Sequence, residues 1–322
     1  MKTADKPAGA AAPTAEWATQ SEHSNALALR LMAWVAITLG RPVARLLLHP
    51  ITLYFMAFAP HAQRQSKRYL ARALGRPATL GDRYRHVHAF ASTVLDRIYF
   101  VRGQMQAFDL RVVGSEIGAA TRAEGRGAFL LGAHIGSFES LHAIGEAVPG
   151  LRVAMVMYPE NARLIHGALK ALAPDFDLRI ITIGRAGSTL AIRDWLAGGG
   201  VVGLLADRHL AADGGRAAAG AGTLEIPFLG VPTVFSDGPL RLAVLLRRRV
   251  LFMVGLYLGG NRYEVRFEEL ADFSTPITDP VERERQMHAA LRTYVARLEA
   301  LVREAPYNWF NFYDYWSEDV HA

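Results

Sequence analysis

The sequence predicts an α/β fold in which a mixed, largely parallel sheet is covered by helices. Short apolar runs recur between residues 128 and 258, and helix-compatible stretches with turn glycines separate them. Uninterrupted apolar runs are typical of strands that are buried on both faces. The chain has 322 residues, of which 51% are hydrophobic and 20% charged. This length is sufficient for one large α/β domain or two small ones.

The N-terminal part of the chain has two sections of different composition. Residues 1–25 are rich in Ala, Thr, Ser and Pro and lack apolar periodicity, so we expect a flexible tail. Residues 26–60 consist of apolar blocks that are interrupted by Arg41, Arg45 and Pro50. An internal proline argues against a straight membrane-spanning helix. No small-residue cleavage site follows an apolar block near the start, so we expect no secretory signal.

Arginines within apolar helices favour a position in the membrane interface. The guanidinium can stay at headgroup level while its stem lies along the apolar face of the helix. The alternative is a buried helical hairpin that covers the rest of the protein. On the first interpretation, residues 26–60 form a membrane-associated helical region and residues 61–322 form the main domain.

The remaining elements follow from periodicity and from the length of the apolar runs. Apolar residues at helical spacing predict helices over residues 61–125. We expect a long helix over about residues 280–303 and a mobile loop over residues 214–222, where glycine and alanine dominate. The predicted strands cover residues 128–133, 153–158, 178–183, 201–206 and 250–258.

The first predicted strand runs directly into His134, which is followed by Gly136 and Glu139. In sheets of this kind, the chemistry is usually located at the carboxyl ends of the strands. Glycine allows a tight backbone around the histidine, and a carboxylate five positions on can fold back to an imidazole nitrogen. Such a pair fixes the tautomer and stabilises the imidazolium, as a general base requires. The alternative is a polar cap on the following helix.

Two further strand ends carry charged residues. Asp207 and Arg208 follow the strand over residues 201–206, and Arg185 follows the strand over residues 178–183. A strand-end aspartate can bind a substrate or brace a neighbouring site residue, and the alternative is a local ion pair. Arg185 is placed to meet a phosphate or a developing oxyanion, and the alternative is a surface arginine.

An apolar segment over residues 224–243 contains two prolines together with Phe228 and Phe235. We expect a loop here, before a helix that begins near residues 237–239. Such a loop would form the wall of an acyl-chain groove beside the polar site. The alternative is that its side chains pack in the core.

Several kinds of chemistry lack the residues that they need. The chain has no cysteine, which excludes disulfides, Cys-ligated zinc, iron–sulfur clusters and a cysteine-bound acyl intermediate. Nucleophile-elbow, dinucleotide-binding, Walker A and zinc-protease motifs are also missing from the sequence. We expect no metal site, because His86 and His88 lack a nearby set of carboxylates. The net charge of +6 is a mild bias towards anionic partners, but the arginines are scattered, so nucleic acid is not an expected partner.

Five segments of the sequence, taken together and in their order along the chain, resemble motifs of the bacterial lysophospholipid acyltransferase superfamily. The resemblance covers roughly residues 26–316. It is nearest to the late acyltransferases of lipid A biosynthesis and their relatives in polyene-pigment and glycolipid gene clusters. Tyr158 and Pro159 stand where the lipid A branch has Tyr-Arg-Pro, which argues for an acceptor other than lipid A. The segments are the stretch from His134 to Glu139, the Ile-Gly-Arg that ends at Arg185, the Leu-Leu-Ala-Asp that ends at Asp207, the Ile-Pro-Phe-Leu-Gly-Val-Pro of residues 226–232 and the aromatic residues 306–316.

The resemblance implies that His134 is the base that deprotonates the acceptor hydroxyl. It also implies that Glu139 is the carboxylate that orients His134, and that the hydroxyl attacks the donor thioester directly. The absence of cysteine and of a serine elbow agrees with a reaction that forms no covalent acyl-enzyme. The substrate-binding residues that we expect are Asp207, Arg208, Arg185, Gly136 and Phe228.

The expected function is therefore an O-acyltransferase. It would move a fatty acyl group from an acyl carrier protein or coenzyme A thioester to a hydroxyl of a lipid or glycolipid, at the cytoplasmic face of a bacterial inner membrane. We expect no cofactor besides the donor substrate. The alternatives are a thioesterase or lysolipid hydrolase that uses the same histidine, and a non-catalytic lipid-binding protein.

Overall fold

A seven-stranded sheet organises the computed structural model, which describes residues 26–137, 152–159, 179–184, 187–208 and 222–316. The strand order is β1-β9-β8-β2-β5-β3-β4. Every neighbouring pair in this sheet is parallel except β8 and β9, which are antiparallel. The prediction of a mixed, largely parallel sheet is confirmed. The strands of the sheet are β1 Asp109–Val113, β2 Ala128–Gly132, β3 Val153–Met157, β4 Arg179–Thr182, β5 Val201–Leu205, β8 Arg249–Tyr257 and β9 Arg262–Asp272.

Strand β2 lies in the centre of the sheet, between β8 and β5. All five of its residues are buried, because helices cover the sheet on both sides. This burial explains why the sequence of β2 is a continuous apolar run rather than an alternating one. The central position also makes the carboxyl end of β2 a rigid base for the residues that follow it.

Eight helices are described, and the long helix α8 packs against the centre of the sheet. Its N-terminus is capped by the Asp279 side chain, which accepts a hydrogen bond from the Val281 amide. The Tyr294 hydroxyl on its buried face donates to the Gly132 carbonyl at 2.8 Å, which ties α8 to the end of β2. The helices are α1 Ala26–Thr38, α2 Gly40–Phe58, α3 Pro60–Leu74, α4 Leu80–Val101, α5 Ser115–Ala123, α6 Ser188–Ala197, α7 Gly238–Leu246 and α8 Pro280–Glu304.

Two predictions of secondary structure are wrong, and a third is not tested. Residues 109–113 form strand β1 instead of continuing the helical region, because they pair with the charged strand β9, which the sequence analysis did not recognise. Residues 224–236 do not form an open loop but lie in an antiparallel hairpin of β6 Thr223–Phe228 and β7 Val231–Ser236. The predicted loop over residues 214–222 lies, apart from Gly222, outside the described residues.

The N-terminal helices have one buried face and one exposed face. Ala44, Leu48 and Thr52 of α2 are buried, and α2 packs against α4. The opposite side leaves large side chains in solvent, with Leu46 67% and Phe58 71% exposed. This exposed apolar face comprises Trp34, Ile37, Leu39, Val43, Leu46, Leu47, Leu53, Tyr54, Phe55 and Phe58.

Neither a straight span nor a fully buried hairpin describes these helices. Among the described residues, no single helix is long and apolar enough to cross a bilayer. Helices α2 and α3 reach that length and hydropathy together, but they meet at a bend of 97°, where Pro60 begins α3.

A buried ion pair fixes α2 to the main domain. Asp96 of α4 is fully buried and accepts two hydrogen bonds from the Arg41 guanidinium, at 2.7 and 2.8 Å. It accepts a third from the Tyr263 hydroxyl at 2.8 Å. Because all three donors converge on one carboxylate, Asp96 joins α2, α4 and β9.

A buried histidine fixes residues 306–316, which we name the aromatic segment. His86 of α4 donates from Nε2 to the Trp309 carbonyl at 2.8 Å, and its Nδ1 lies 2.9 Å from the Ser66 hydroxyl. Both ring nitrogens are therefore satisfied when the ring is neutral. Burial opposes the charged form and lowers the pKa of His86 to about 4.

Replacing Asp96 with alanine is expected to lower the free energy of unfolding by about 3 kcal/mol, because the Arg41 charge is left in a poorly solvated site without its partner. Urea denaturation of the purified variant measures this loss. Asp194→Ala, which removes one partner of the exposed Arg193–Asp194 pair, is the control and should change stability by less than about 1 kcal/mol. Equal effects of the two substitutions would contradict the role given to Asp96.

Stability is expected to fall between pH 6.5 and pH 4.5 because the unfolded chain then binds a proton at His86 that the folded protein does not. The pKa of about 4 in the folded state predicts a loss of about 2 to 3 kcal/mol from this group over that range. Denaturation of the wild-type protein and of His86→Gln across the range isolates the effect, because the other histidines titrate in both proteins. The same pH dependence in both would refute the assignment.

Candidate active site

His134 stands two residues beyond β2, in a stretch of backbone that the neighbouring segments hold on both sides. Ile135 forms a bridge with Trp309, and Gly136 forms one with Gly255 at the end of β8. Gly136 has a φ of +59°, and an added Cβ would collide with the Gly255 carbonyl. Its amide donates to the Asn308 carbonyl at 2.8 Å. Gly136 therefore acts through the backbone turn that positions His134.

Asp207 is the carboxylate at the His134 ring. One carboxylate oxygen lies 2.8 Å from Nδ1, and the other accepts the His134 backbone amide at 3.0 Å. Asp207 is fully buried, whereas 27% of the His134 side chain is exposed. With Nδ1 facing an ionised carboxylate, the proton is on Nδ1 and the lone pair is on Nε2. Among the described residues, none hydrogen-bonds to Nε2, so this nitrogen is available to a substrate.

The sequence predicts Glu139, and not Asp207, as the carboxylate at His134, and the pairing with Glu139 stays a prediction. Glu139, the expected partner of His134, lies outside the described residues, as does Arg185. The structure gives the Nδ1 position to Asp207, which the sequence analysis placed among the substrate-binding residues with bracing of a neighbour as a second role. The observed contact is the bracing one. Parallel pairing of β2 with β5 brings the two strand ends together.

The aromatic segment supplies the remaining partners of Asp207. The Trp309 indole donates to Oδ2 at 2.9 Å, and the Asn311 amide donates to the same oxygen at 3.1 Å. The Tyr315 hydroxyl donates to the Asp207 carbonyl at 2.6 Å. The contacts of this segment with Asp207 are not predicted from the sequence, where the segment only contributes to the family resemblance. Its density of Trp, Tyr and Asn, all hydrogen-bond donors, was the available signal.

The electrostatics of the pair favour an ionised aspartate and a neutral histidine. Burial alone would raise the pKa of Asp207, but the charge and the hydrogen bonds of His134, together with the charge of Arg208, hold it well below its usual range. Desolvation lowers the pKa of His134, and this effect outweighs the attraction of Asp207 for the imidazolium. At neutral pH the ring therefore holds a free lone pair and can act as a general base.

Arg208 lies beside the pair and contacts the aromatic segment. Its Nε donates to the Asn311 side-chain oxygen at 2.8 Å, and its guanidinium lies 5.2 Å from the centre of the Tyr313 ring. These contacts hold a positive charge next to Asp207. The charge also lowers the pKa of His134.

Phe228 does not line a groove in this structure. It is fully buried, and its ring centre lies 5.4 Å from that of Trp309 and 5.9 Å from that of Phe235. This is the core-packing alternative. The segment predicted as a loop around Phe228 is a closed hairpin. Within it, the Phe228 ring packs against the Trp309 indole that donates to Asp207.

The described side chains of the site form a pair of one histidine and one carboxylate. Within the described ranges, no group of three or more His, Asp or Glu side chains is arranged to hold a metal ion. The single buried carboxylate at Nδ1 serves instead to orient a base. A scan against protein-family models and a search of curated proteins both find no match for this chain.

Proposed function

We propose that the protein is an O-acyltransferase that moves a fatty acyl group from an acyl thioester to a hydroxyl of a lipid or glycolipid. The observation that carries the proposal is the contact of 2.8 Å between His134 Nδ1 and the buried carboxylate of Asp207. It leaves the Nε2 lone pair of a neutral ring without a partner among the described residues, on a side chain that is 27% exposed. A base of this kind suits the activation of a hydroxyl.

The proposed reaction is a direct transfer. The acceptor hydroxyl gives its proton to His134 Nε2 while its oxygen attacks the carbonyl carbon of the thioester. The tetrahedral intermediate collapses by breaking the carbon–sulfur bond, and the imidazolium returns the proton to the departing sulfur. Asp207 stabilises the imidazolium during this interval, and no acyl group is attached to the protein.

Two neighbouring features fit the substrates. Arg208 places a positive charge at the same strand end, where a developing oxyanion or an anionic donor would be stabilised. The net charge of +6 suits an acidic acyl carrier protein or the phosphates of coenzyme A as donor. Arg185 stays a candidate for the same task on the basis of the family resemblance.

The exposed apolar face supports a position at a membrane surface. Side chains such as Trp34, Leu46 and Phe58 are more than half exposed, and exposed apolar patches mark surfaces that contact a partner or a membrane. Helices of this kind lie in the interface with their apolar side among the acyl chains. An amphiphilic acceptor would then reach His134 from the membrane, at the cytoplasmic face of the bacterial inner membrane.

His134→Ala is expected to lower acyl transfer by about 10²- to 10⁴-fold, because the general base is removed. The assay measures transfer of a labelled palmitoyl group from acyl carrier protein to a bacterial lipid extract. His288→Ala, which removes a histidine from helix α8, is the matched control and should keep activity. Because desolvation lowers the pKa of His134 below the ordinary value of about 6.5, the wild-type rate should still be level at pH 6.5 and fall only at lower pH.

Full activity of His134→Ala would refute the mechanism. Consumption of the thioester at an equal rate with and without the lipid extract would show a hydrolase instead of a transferase. Absence of any thioester turnover, with the protein bound to lipid, would show a non-catalytic lipid-binding protein.

Asp207→Asn is expected to lower acyl transfer by about 10³- to 10⁴-fold, because an amide at Nδ1 no longer holds the required tautomer. The double variant His134→Ala/Asp207→Asn should be no slower than His134→Ala, because the two residues act as a unit. Measuring the three rates in the same assay tests this. Losses that multiply in the double variant would show that Asp207 acts independently of His134. A denaturation curve for each variant verifies that it is folded.

A further inference from the structure

A second polar site lies at the base of α2, outside the His134–Asp207 pair. A cavity of about 430 Å³ opens between the first turns of α2 and the turn that joins β8 to β9. This volume is within the range of ligand pockets, about 300–1,000 Å³. The residues that line the cavity are Arg41, Pro42, Arg45, Ala107, Gly260 and Asn261.

The cavity has an excess of positive charge. Arg41 is neutralised by Asp96 and is held in place by the Phe108 ring, whose centre lies 4.9 Å away. Arg45 lies one helical turn further along, and in the part of the chain that the structure describes it has no acidic partner. None of the six lining residues is acidic. Arg45 therefore brings an uncompensated guanidinium to the cavity.

Arg45 has hydrogen-bonding capacity that the protein does not use. Its Nη2 donates to the Tyr257 hydroxyl at 3.0 Å, whereas its Nη1 is buried and, among the described residues, has no hydrogen-bond partner. Buried donors are rarely left without an acceptor. Arg45 also lines the cavity, and a guanidinium at such a place is suited to oxygen atoms of a phosphate.

The cavity borders the exposed apolar face. Val43 and Leu46 flank Arg45 on α2, and both are exposed. If α2 lies in a membrane interface, these side chains enter the acyl layer and the Arg45 guanidinium stays at the level of the headgroups. The chemistry expected at that level is a lipid phosphate.

The cavity and His134 lie at the same end of the sheet, next to the carboxyl ends of β8 and β2. Tyr257, which contacts Arg45, ends β8, and β8 is the parallel neighbour of β2. The Asn308 side chain bonds to the Tyr257 backbone at 2.8 and 3.1 Å, and the Asn308 carbonyl accepts the Gly136 amide. A short series of hydrogen bonds thus joins the cavity to the turn after His134.

We infer that this cavity binds the phosphate of an anionic lipid headgroup through Arg45 and Asn261. The inference rests on the proposed membrane association and not on the proposed acyl transfer. A phosphate bound here would fix the orientation of α2 on the membrane. The cavity and His134 both lie at the carboxyl ends of β2 and β8. A bound phosphate would therefore also direct this end of the sheet towards the lipid.

The test is a vesicle-binding assay with the full-length protein. Wild-type protein is expected to bind phosphatidylglycerol vesicles more tightly than phosphatidylcholine vesicles. Arg45→Gln should reduce that preference by about fivefold, the effect of one basic residue at an anionic surface. Asn261→Asp places a carboxylate on the opposite wall and should reduce the preference without altering α2. Arg193→Gln removes an equal charge from the surface of α6 and should leave the preference closer to that of wild type.

A second measurement distinguishes the lipid headgroup from free phosphate. If inorganic phosphate, compared with chloride at equal ionic strength, raises the melting temperature of wild type but not of Arg45→Gln, the cavity also takes free phosphate. If the vesicle preference is present without that rise, the cavity needs a lipid headgroup.

Several outcomes would overturn the inference. One is that Arg45→Gln and Asn261→Asp prefer phosphatidylglycerol vesicles over phosphatidylcholine vesicles as strongly as Arg193→Gln does. Another is equal binding of wild type to both kinds of vesicle, which would refute the phosphate site and leave membrane association standing. Failure to bind either vesicle would refute the membrane association itself, and the acyl-transfer assay would still test the activity separately.

Discussion

The site depends on one buried carboxylate. Asp207 is inaccessible to solvent, and its side chain contacts the ring and the backbone amide of His134 at the same time. A buried charge is tolerated only when it is well paired. Here the Trp309 indole and the Asn311 amide provide the additional donors. The same bonds that keep Asp207 ionised therefore set the position of the imidazole.

The donors around Asp207 are themselves held by other parts of the molecule. Trp309 packs on Phe228 of the hairpin and on Tyr69 of α3, and its carbonyl accepts a hydrogen bond from His86 of α4. Asn308 bonds to the end of β8. Helices, hairpin and sheet thus contribute contacts to one network around the aromatic segment and Asp207.

The sheet and the location of the site could be predicted from the sequence for physical reasons. Strands β2 and β5 are buried on both faces, so their apolar runs stand out, and the polar residues that follow them mark the strand ends. The charged strand β9 has no such signal, because charged residues interrupt its apolar ones. Strand β1 is not visible as an apolar run for the same reason.

The pairing within the site was harder to predict than its location. Glu139 is close to His134 in the sequence, and local spacing favours near neighbours. Asp207 is distant in sequence, and only the parallel pairing of β2 and β5 brings it to the ring. The role of the aromatic segment depends on tertiary contacts of Trp309 and Asn311, which no local pattern encodes. Strand ends were visible in the sequence, whereas the contacts between them follow from strand order.

The distance along the chain between Asp207 and its indole donor has a consequence for synthesis. The two residues are 102 positions apart, so Asp207 leaves the ribosome long before Trp309 exists. During that interval the carboxylate lacks the indole and amide donors that it has in the folded protein. Helices α1 and α2 emerge earlier still, so the nascent chain presents its apolar face before the contacts around Asp207 are complete. The hydrogen-bond network at Asp207 is thus a late product of translation.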